Sequence, residues 1–152
     1  QYISKNNIKA EQLFFNNLVD HKENVLGSIK EKEIEFKDIV KTIVFVDLDK
    51  EEKEGNSVIA IVPGEARVSK EKLRKVSNSR VKIASAEQVL KLTTYPAGGV
   101  PPFSFKANFY LDKSLIKKDI VYAGGGSERM LIKTTVQEIL KANKAEIADI
   151  IE

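Results

Sequence analysis

The chain has 152 residues, 42% hydrophobic and 31% charged, with a net charge of +3. At roughly 150 residues per domain that length predicts one domain, 1–152, and the balance is that of a folded chain rather than a disordered one. There is no cysteine and one histidine, His21. This excludes a disulfide framework, a thiolate nucleophile and a multi-histidine or Cys-ligated metal site, and a Ser-His-Asp triad could only run through His21.

No apolar run approaches the roughly 18 residues of a membrane span, and the start lacks a charged segment followed by an apolar one. A cytoplasmic protein with no membrane contact is expected. The basic excess is concentrated. Between Arg67 and Lys82 stand seven basic residues and one acid, Glu71.

The first 40 residues predict helix. Ile8, Leu13, Phe14, Leu18 and Val19 form one stripe, Val25, Leu26 and Ile29 a second, and Ile34, Phe36, Ile39 and Val40 a third. TIVFVDL (42–48) and SVIAIVP (57–63) are β-branched runs that predict strands joined by a polar hairpin ending Gly55-Asn56. A basic helix is expected over 69–76 and a strand over 81–85. Ser85 with Gln88 is a capping box for a helix to about Leu92.

The segment 93–105, TTYPAGGVPPFSF, holds three prolines and two glycines, so it predicts a shaped loop. Strands are expected at 108–112, 119–124 and 130–134. Thr135 with Glu138 predicts a helix to about Asn143, and 145–151 predicts a last strand. Without clean βαβ alternation, the order predicts an α+β fold with a mixed, largely antiparallel sheet.

Three places suit chemistry. Lys41 opens a buried-looking strand, where it is either a solvated strand end or a cation aimed into a pocket. Gly98, Gly99 and Val100 lie in the proline-flanked loop. Their N–H groups form either a rigid turn or a preorganised cradle for a carbonyl or oxyanion. Gly124, Gly125 and Gly126 follow a strand but match neither GxxxxGK[ST] nor GxGxxG, which leaves a pocket wall or a hairpin turn. His21 sits in a polar stretch, and no carboxylate pair stands out.

These blocks, in this order, resemble the YbaK/ProX family of aminoacyl-tRNA deacylases, relatives of the editing domain inserted in bacterial prolyl-tRNA synthetases. The resemblance rests on IVKTIV at 39–44, VPG at 62–64, ASAEQV at 84–89, TYPAGGVPPF at 94–103 and YAGGG at 122–126, and it covers about 34–152. It implies a curved, barrel-like mixed sheet ringed by helices. It also implies hydrolysis of the ester that joins a wrong amino acid to tRNA; with no Cys, no plausible His base and no metal site in the sequence, no cofactor or metal is expected.

The family's pocket lysine falls on Lys41, and its GxxxP loop runs from Gly98 to Pro102. Thr42, Tyr95, Val100, Pro102, Gly124, Gly125 and Gly126 are then expected to bind substrate. Arg67, Lys70, Arg74 and Lys75 are expected to meet tRNA phosphates, unless they are only a solvated face. An aminoacyl-tRNA synthetase is a second candidate partner. Two departures stand out: Thr94 replaces a frequent Gly before the loop Tyr, and Leu131 and Ile132 stand where relatives often carry an acid. A tRNA-binding module without activity, and a hydrolase of non-tRNA acyl esters, remain as alternatives.

Overall fold

The computed structural model describes residues 8–14 and 34–152. Among these residues the order is β1 (Glu11–Phe14), a 3-10 turn (Phe36–Asp38), β2 (Val40–Asp47), β3 (Val58–Pro63), α1 (Lys70–Ser77), β4 (Val81–Ile83) and α2 (Ala86–Thr93). Then follow β5 (Asn108–Asp112), a second 3-10 turn (Lys113–Lys117), β6 (Ile120–Gly124), β7 (Met130–Thr135), α3 (Val136–Asn143) and β8 (Glu146–Ala148).

The strands form two sheets, ordered β1-β7-β6 and β4-β2-β3-β5-β8. Four of the six strand pairings are antiparallel; β3–β5 and β5–β8 are parallel. This is the α+β, mixed and largely antiparallel arrangement expected. One parallel bridge, Ile39 to Tyr122, links the sheets at the start of β2.

The helix starts follow from their caps. Ser69 Oγ accepts from Lys72 N, and Thr135 Oγ1 accepts from Glu138 N. Ser85 and Gln88 form both halves of the capping box. Each helix ends on a left-handed residue, Asn78, Thr94 or Lys144. Alternation along β2 divides its side chains between two cores. Val40, Val44 and Val46 enter the main cluster with Ile59, Leu111, Val121 and Ile132. Phe45, with Ile43 beside it, joins Val62, Leu73 and Ile150 under α1.

The N-terminal expectation needs correction. Residues 11–14 are not helix but an edge strand, with Glu11 opposite Lys133 and Leu13 opposite Leu131. The apolar spacing there suits a helix, yet the exposed edge of β7, more than a hundred residues away in sequence, supplies backbone partners no local pattern can announce. Residues 34–40 likewise form a 3-10 turn entering a strand. The expected stripes at Leu18, Val19, Val25, Leu26 and Ile29, and His21 with them, lie outside the described residues. The last strand is shorter than expected; beyond it Ile151 bridges Val68.

One buried carboxylate closes the fold. Asp112, 1% exposed, accepts from Ile150 N at 3.0 Å and from the backbone and hydroxyl of Ser114. It ties the end of β5 to the C-terminal segment. Asp112→Ala is expected to leave the Ile150 N–H buried without a partner and to cost about 3 kcal/mol, read as a shift in the denaturant midpoint.

Candidate functional site

Lys41 and Thr42 are neighbours whose side chains go opposite ways. Thr42 lies on the main-core face of β2, between Val40 and Val44 in the alternation, and its Oγ1 is buried with no hydrogen-bond partner among the described residues. Lys41 lies on the other face. Burial pushes its pKa below the ordinary lysine value, and the charge of Arg67 pushes it the same way. A half-buried ammonium beside a second cation is held by the fold against electrostatic preference.

The bridge from Ile39 to Tyr122 places what faces Lys41. Lys41 and Gly124 each stand two residues beyond it, on strands running in the same direction. On that side Ile39 packs with Tyr122 and Leu131. That wall is therefore apolar, with Leu131 buried. Among the described residues no carboxylate pairs with Lys41.

The two glycine loops come together at the same strand end. A Cβ on Gly124 would collide with the Val100 carbonyl, and one on Gly99 would lie 2.7 Å from the backbone of Ser127. The Gly126 N–H donates to the Gly99 carbonyl at 2.7 Å, and the Gly125 N–H to Met130 O at 2.9 Å. Gly126 has φ +102, which few residues but glycine adopt. The Gly99 N–H, expected to face a ligand, instead donates to Pro96 O at 2.9 Å and closes a turn. Gly98 and Val100 remain as the loop's candidate donors.

The rest of the loop is braced at both ends. Tyr95 N donates to Thr93 Oγ1, whose hydroxyl donates to Val89 O in α2. Pro102 O accepts from Asn143 Nδ2 at the end of α3, at 2.8 Å. Thr94 has φ 68, a left-handed turn of the kind glycine adopts most readily. The Tyr95 ring lies against Gly126, with Cε1 3.3 Å from where a Cβ would be, and its hydroxyl bonds Ser104 Oγ.

The basic residues divide. Lys72 is held by Asp149 at 3.0 Å and by Ile151 O, and Arg80 by Asp49 at 2.8 Å. Arg67, Lys70, Arg74 and Lys75 are exposed, with no acidic partner among the described residues. Arg67 alone of these lies close enough to Lys41 to act on its charge. Sequence alone grouped it with the helix; the turn after Gly64, whose N–H donates to Ile39 O at 2.8 Å, returns it to the start of β2.

The sequence profile of the family described as "Aminoacyl-tRNA editing domain" matches residues 27–142. The chain belongs to this aminoacyl-tRNA editing domain family. Its match thus begins and ends earlier than the 34–152 expected. The crystal structure of the hypothetical protein APE2540 superposes with a TM-score of 0.85 at 26% identity, covering 99% of this chain and 97% of that one. That of a proposed trans-editing enzyme for prolyl-tRNA synthetase superposes at 0.80 with 26% identity, covering 94% of this chain and 87% of that one. The uncharacterized protein YwhH of Bacillus subtilis (strain 168) is 34% identical over 89 residues, a match spanning 57% of this chain and 57% of that one. Among the described residues no helix is long and apolar enough to cross a membrane.

Because the Gly99 and Gly124 clashes are with backbone, neither can be relieved by a side-chain rotation. Gly99→Ala and Gly124→Ala are each expected to cost about 1–3 kcal/mol in thermal or denaturant unfolding, as overpacking does. Gly55→Ala, where a Cβ meets nothing within 4 Å but φ is +99, measures instead the cost of a left-handed backbone, a strain that Gly99 and Gly124 do not carry.

Proposed function

We propose that this protein hydrolyses, in trans, the ester linking a wrong amino acid to its tRNA. The observation that carries this reading is the placement of Lys41, half-buried and with no acid partner among the described residues, at the strand end where the two glycine loops stack. Membership of the editing-domain family supports the substrate class. The likeness to a proposed trans-editing enzyme for prolyl-tRNA synthetase supports action as a separate chain, alongside a synthetase.

The chemistry asks little of the protein. Water adds to the ester carbonyl carbon, the carbonyl oxygen gains negative charge, and the ribose oxygen leaves with a proton. Free amino acid and tRNA result. The Lys41 ammonium and the N–H groups of Gly98 and Val100 stabilise the developing oxyanion or the terminal phosphate, and the braced loop holds them without reorganisation. The apolar wall at Leu131 excludes water from one side of Lys41 and strengthens its field. Thr42, on the opposite face, shapes the strand from the core side.

The first test is a deacylation panel of misacylated tRNAs, with correctly charged tRNA as control. No ester cleavage in any of them would overturn the proposal. Lys41→Met is expected to lower kcat/KM by tenfold to a thousandfold, the range for one electrostatic contact. Its melting temperature should hold or rise. In the pH interval between the folded and ordinary lysine pKa, the unfolded chain binds more protons, so stability rises with pH as the strained ammonium discharges. Activity should fall as pH rises through that same interval, after subtraction of base-catalysed hydrolysis. Arg67→Gln, which removes the second cause of the shift, should move this limb to higher pH.

The exposed cations of α1 and Arg67 would meet tRNA phosphates. Arg74→Gln with Lys75→Gln is expected to flatten the log–log salt dependence of KM by one to two contacts, at a slope of about 0.7–0.9 per phosphate. The saturated rate should stay near that of the parent, because such contacts bind ground and transition states alike. An unchanged slope would make this helix a solvated face.

A further inference from the structure

A cavity of about 360 Å³ lies between the segment following Pro102 and the end of α3, lined by Phe103, Ser104, Phe105, Lys106, Phe109 and Asn143 among others. Asn143 and Ser104 brace the loop of the site described above, through Pro102 and Tyr95, and the cavity lies on the far side of that bracing. One edge of the Tyr95 ring lies on Gly126, its hydroxyl bonds Ser104, and its ring centroid is 6.2 Å from that of Phe105. The cavity is thus one aromatic ring away from the stacked glycine loops.

Its wall is strained. Four residues other than glycine have positive φ among the described residues. Asn78, Thr94 and Lys144 end helices, where a left-handed residue closes the last turn. Ser104, at φ 81, ends no helix. A costly backbone held in place by a side-chain hydrogen bond, at the rim of a cavity, is the pattern of a ligand clamp.

The chemistry of the lining is specific. Phe105 is half-buried and leans on Phe109 with ring centroids 5.2 Å apart, which fixes the ring while part of it meets solvent. Asn143 donates one amide proton to Pro102 O and accepts from Ala145 N. One proton and one lone pair of the amide remain, the pair that can read the edge of a base. Lys106 is exposed on the rim. An aromatic platform, an amide edge and a cation are the three groups that hold a nucleotide of a single strand. At about 360 Å³ the volume lies at the small end of ligand sites, matching one nucleotide rather than a duplex.

We propose that this cavity receives a base from the unpaired 3′ end of the tRNA, stacked on Phe105 with Lys106 on its phosphate. The proposal rests on the editing function given above. It places a base contact one ring away from the ester.

The test is binding of the trinucleotide CCA to the full chain, followed by backbone amide shifts, together with steady-state deacylation. In the parent protein, CCA should move the amides of 104–107 and saturate. Phe105→Leu, which keeps apolar volume but removes the π-face, should weaken CCA binding about tenfold and raise KM for misacylated tRNA by a similar factor. Lys106→Gln, an exposed change that leaves folding intact, should weaken binding in a salt-dependent way. Absence of CCA-induced shifts at 104–107 in the parent overturns the proposal, whatever becomes of the Phe105 variant. So does a Phe105→Leu protein that melts normally and binds CCA normally. AMP bound as tightly as CCA would make this a free-nucleotide site and overturn the assignment to RNA. If CCA binds here and no misacylated tRNA is cleaved, the editing function fails while the base site stands; if cleavage proceeds without any effect of Phe105, only the base site fails.

Discussion

The structure depends on one contact between backbones. Val100 can set its carbonyl on β6 only because Gly124 has no Cβ, and Ser127 can lie on Gly99 for the same reason. A hydrogen bond from Gly126 to the Gly99 carbonyl closes the contact. Two segments some twenty-five residues apart are thereby locked face to face, at a distance side chains would forbid. The lock extends outward. Through Thr93 it reaches the end of α2, and through Pro102 and Asn143 the end of α3. A loop rich in proline and glycine is thereby tied to a strand and to the ends of two helices. Such rigidity is what preorganised groups need, since any energy spent on reorganising them is lost to the reaction.

The sheets depend on a second constraint, the position of β2. Its first residues touch β6 through the Ile39–Tyr122 bridge, and its later ones run between β3 and β4. A strand shared in this way has one end where the two sheets part, and a polar residue can sit there without breaking a core. Lys41 occupies that end. One residue further on, the alternation would have put the ammonium on the face of Val40 and Val44, inside the main cluster. The position is tolerated rather than favoured, as the lowered pKa records. An unpaired charge kept where it costs stability is the usual mark of a functional group.

What could be read from sequence followed the range of the interactions. Helix starts at Ser69, Ser85 and Thr135 were legible because a cap bonds within three residues. The strands at 108–112 and 130–134 were legible because short aromatic or β-branched apolar runs are local signals. β1 was not, since its partner β7 is remote and its apolar spacing also suits a helix. At the loops, the need for glycine was visible in the sequence but its cause was not. Adjacent glycines say that something approaches closely, and ligand and backbone look the same from one strand of the pair. The same limit applied to Arg67, which is near α1 in sequence and near Lys41 in space. Asp112 gave no sign of being more than a strand-end acid, because what it binds is the backbone of Ile150.

The division of labour in such a site follows from magnitudes. A pocket that must tell apart amino acids differing by a methylene gains only about 1–3 kcal/mol of discrimination, which is why a second, hydrolytic selection is useful at all. The ester it would act on is already activated, so a few kcal/mol of electrostatic help suffices, and one well-placed donor supplies roughly 2.7–4 kcal/mol. On the proposed function, then, a nucleophile is dispensable but position is not. A held ammonium and fixed amides act only on a carbonyl placed against them. Selectivity therefore passes to the walls that place it. On that proposal the walls would be the apolar face at Leu131 and the tyrosine ring resting on Gly126. That no acid pairs with Lys41 among the described residues belongs to the same logic, because a carboxylate there would offset the charge of the ammonium.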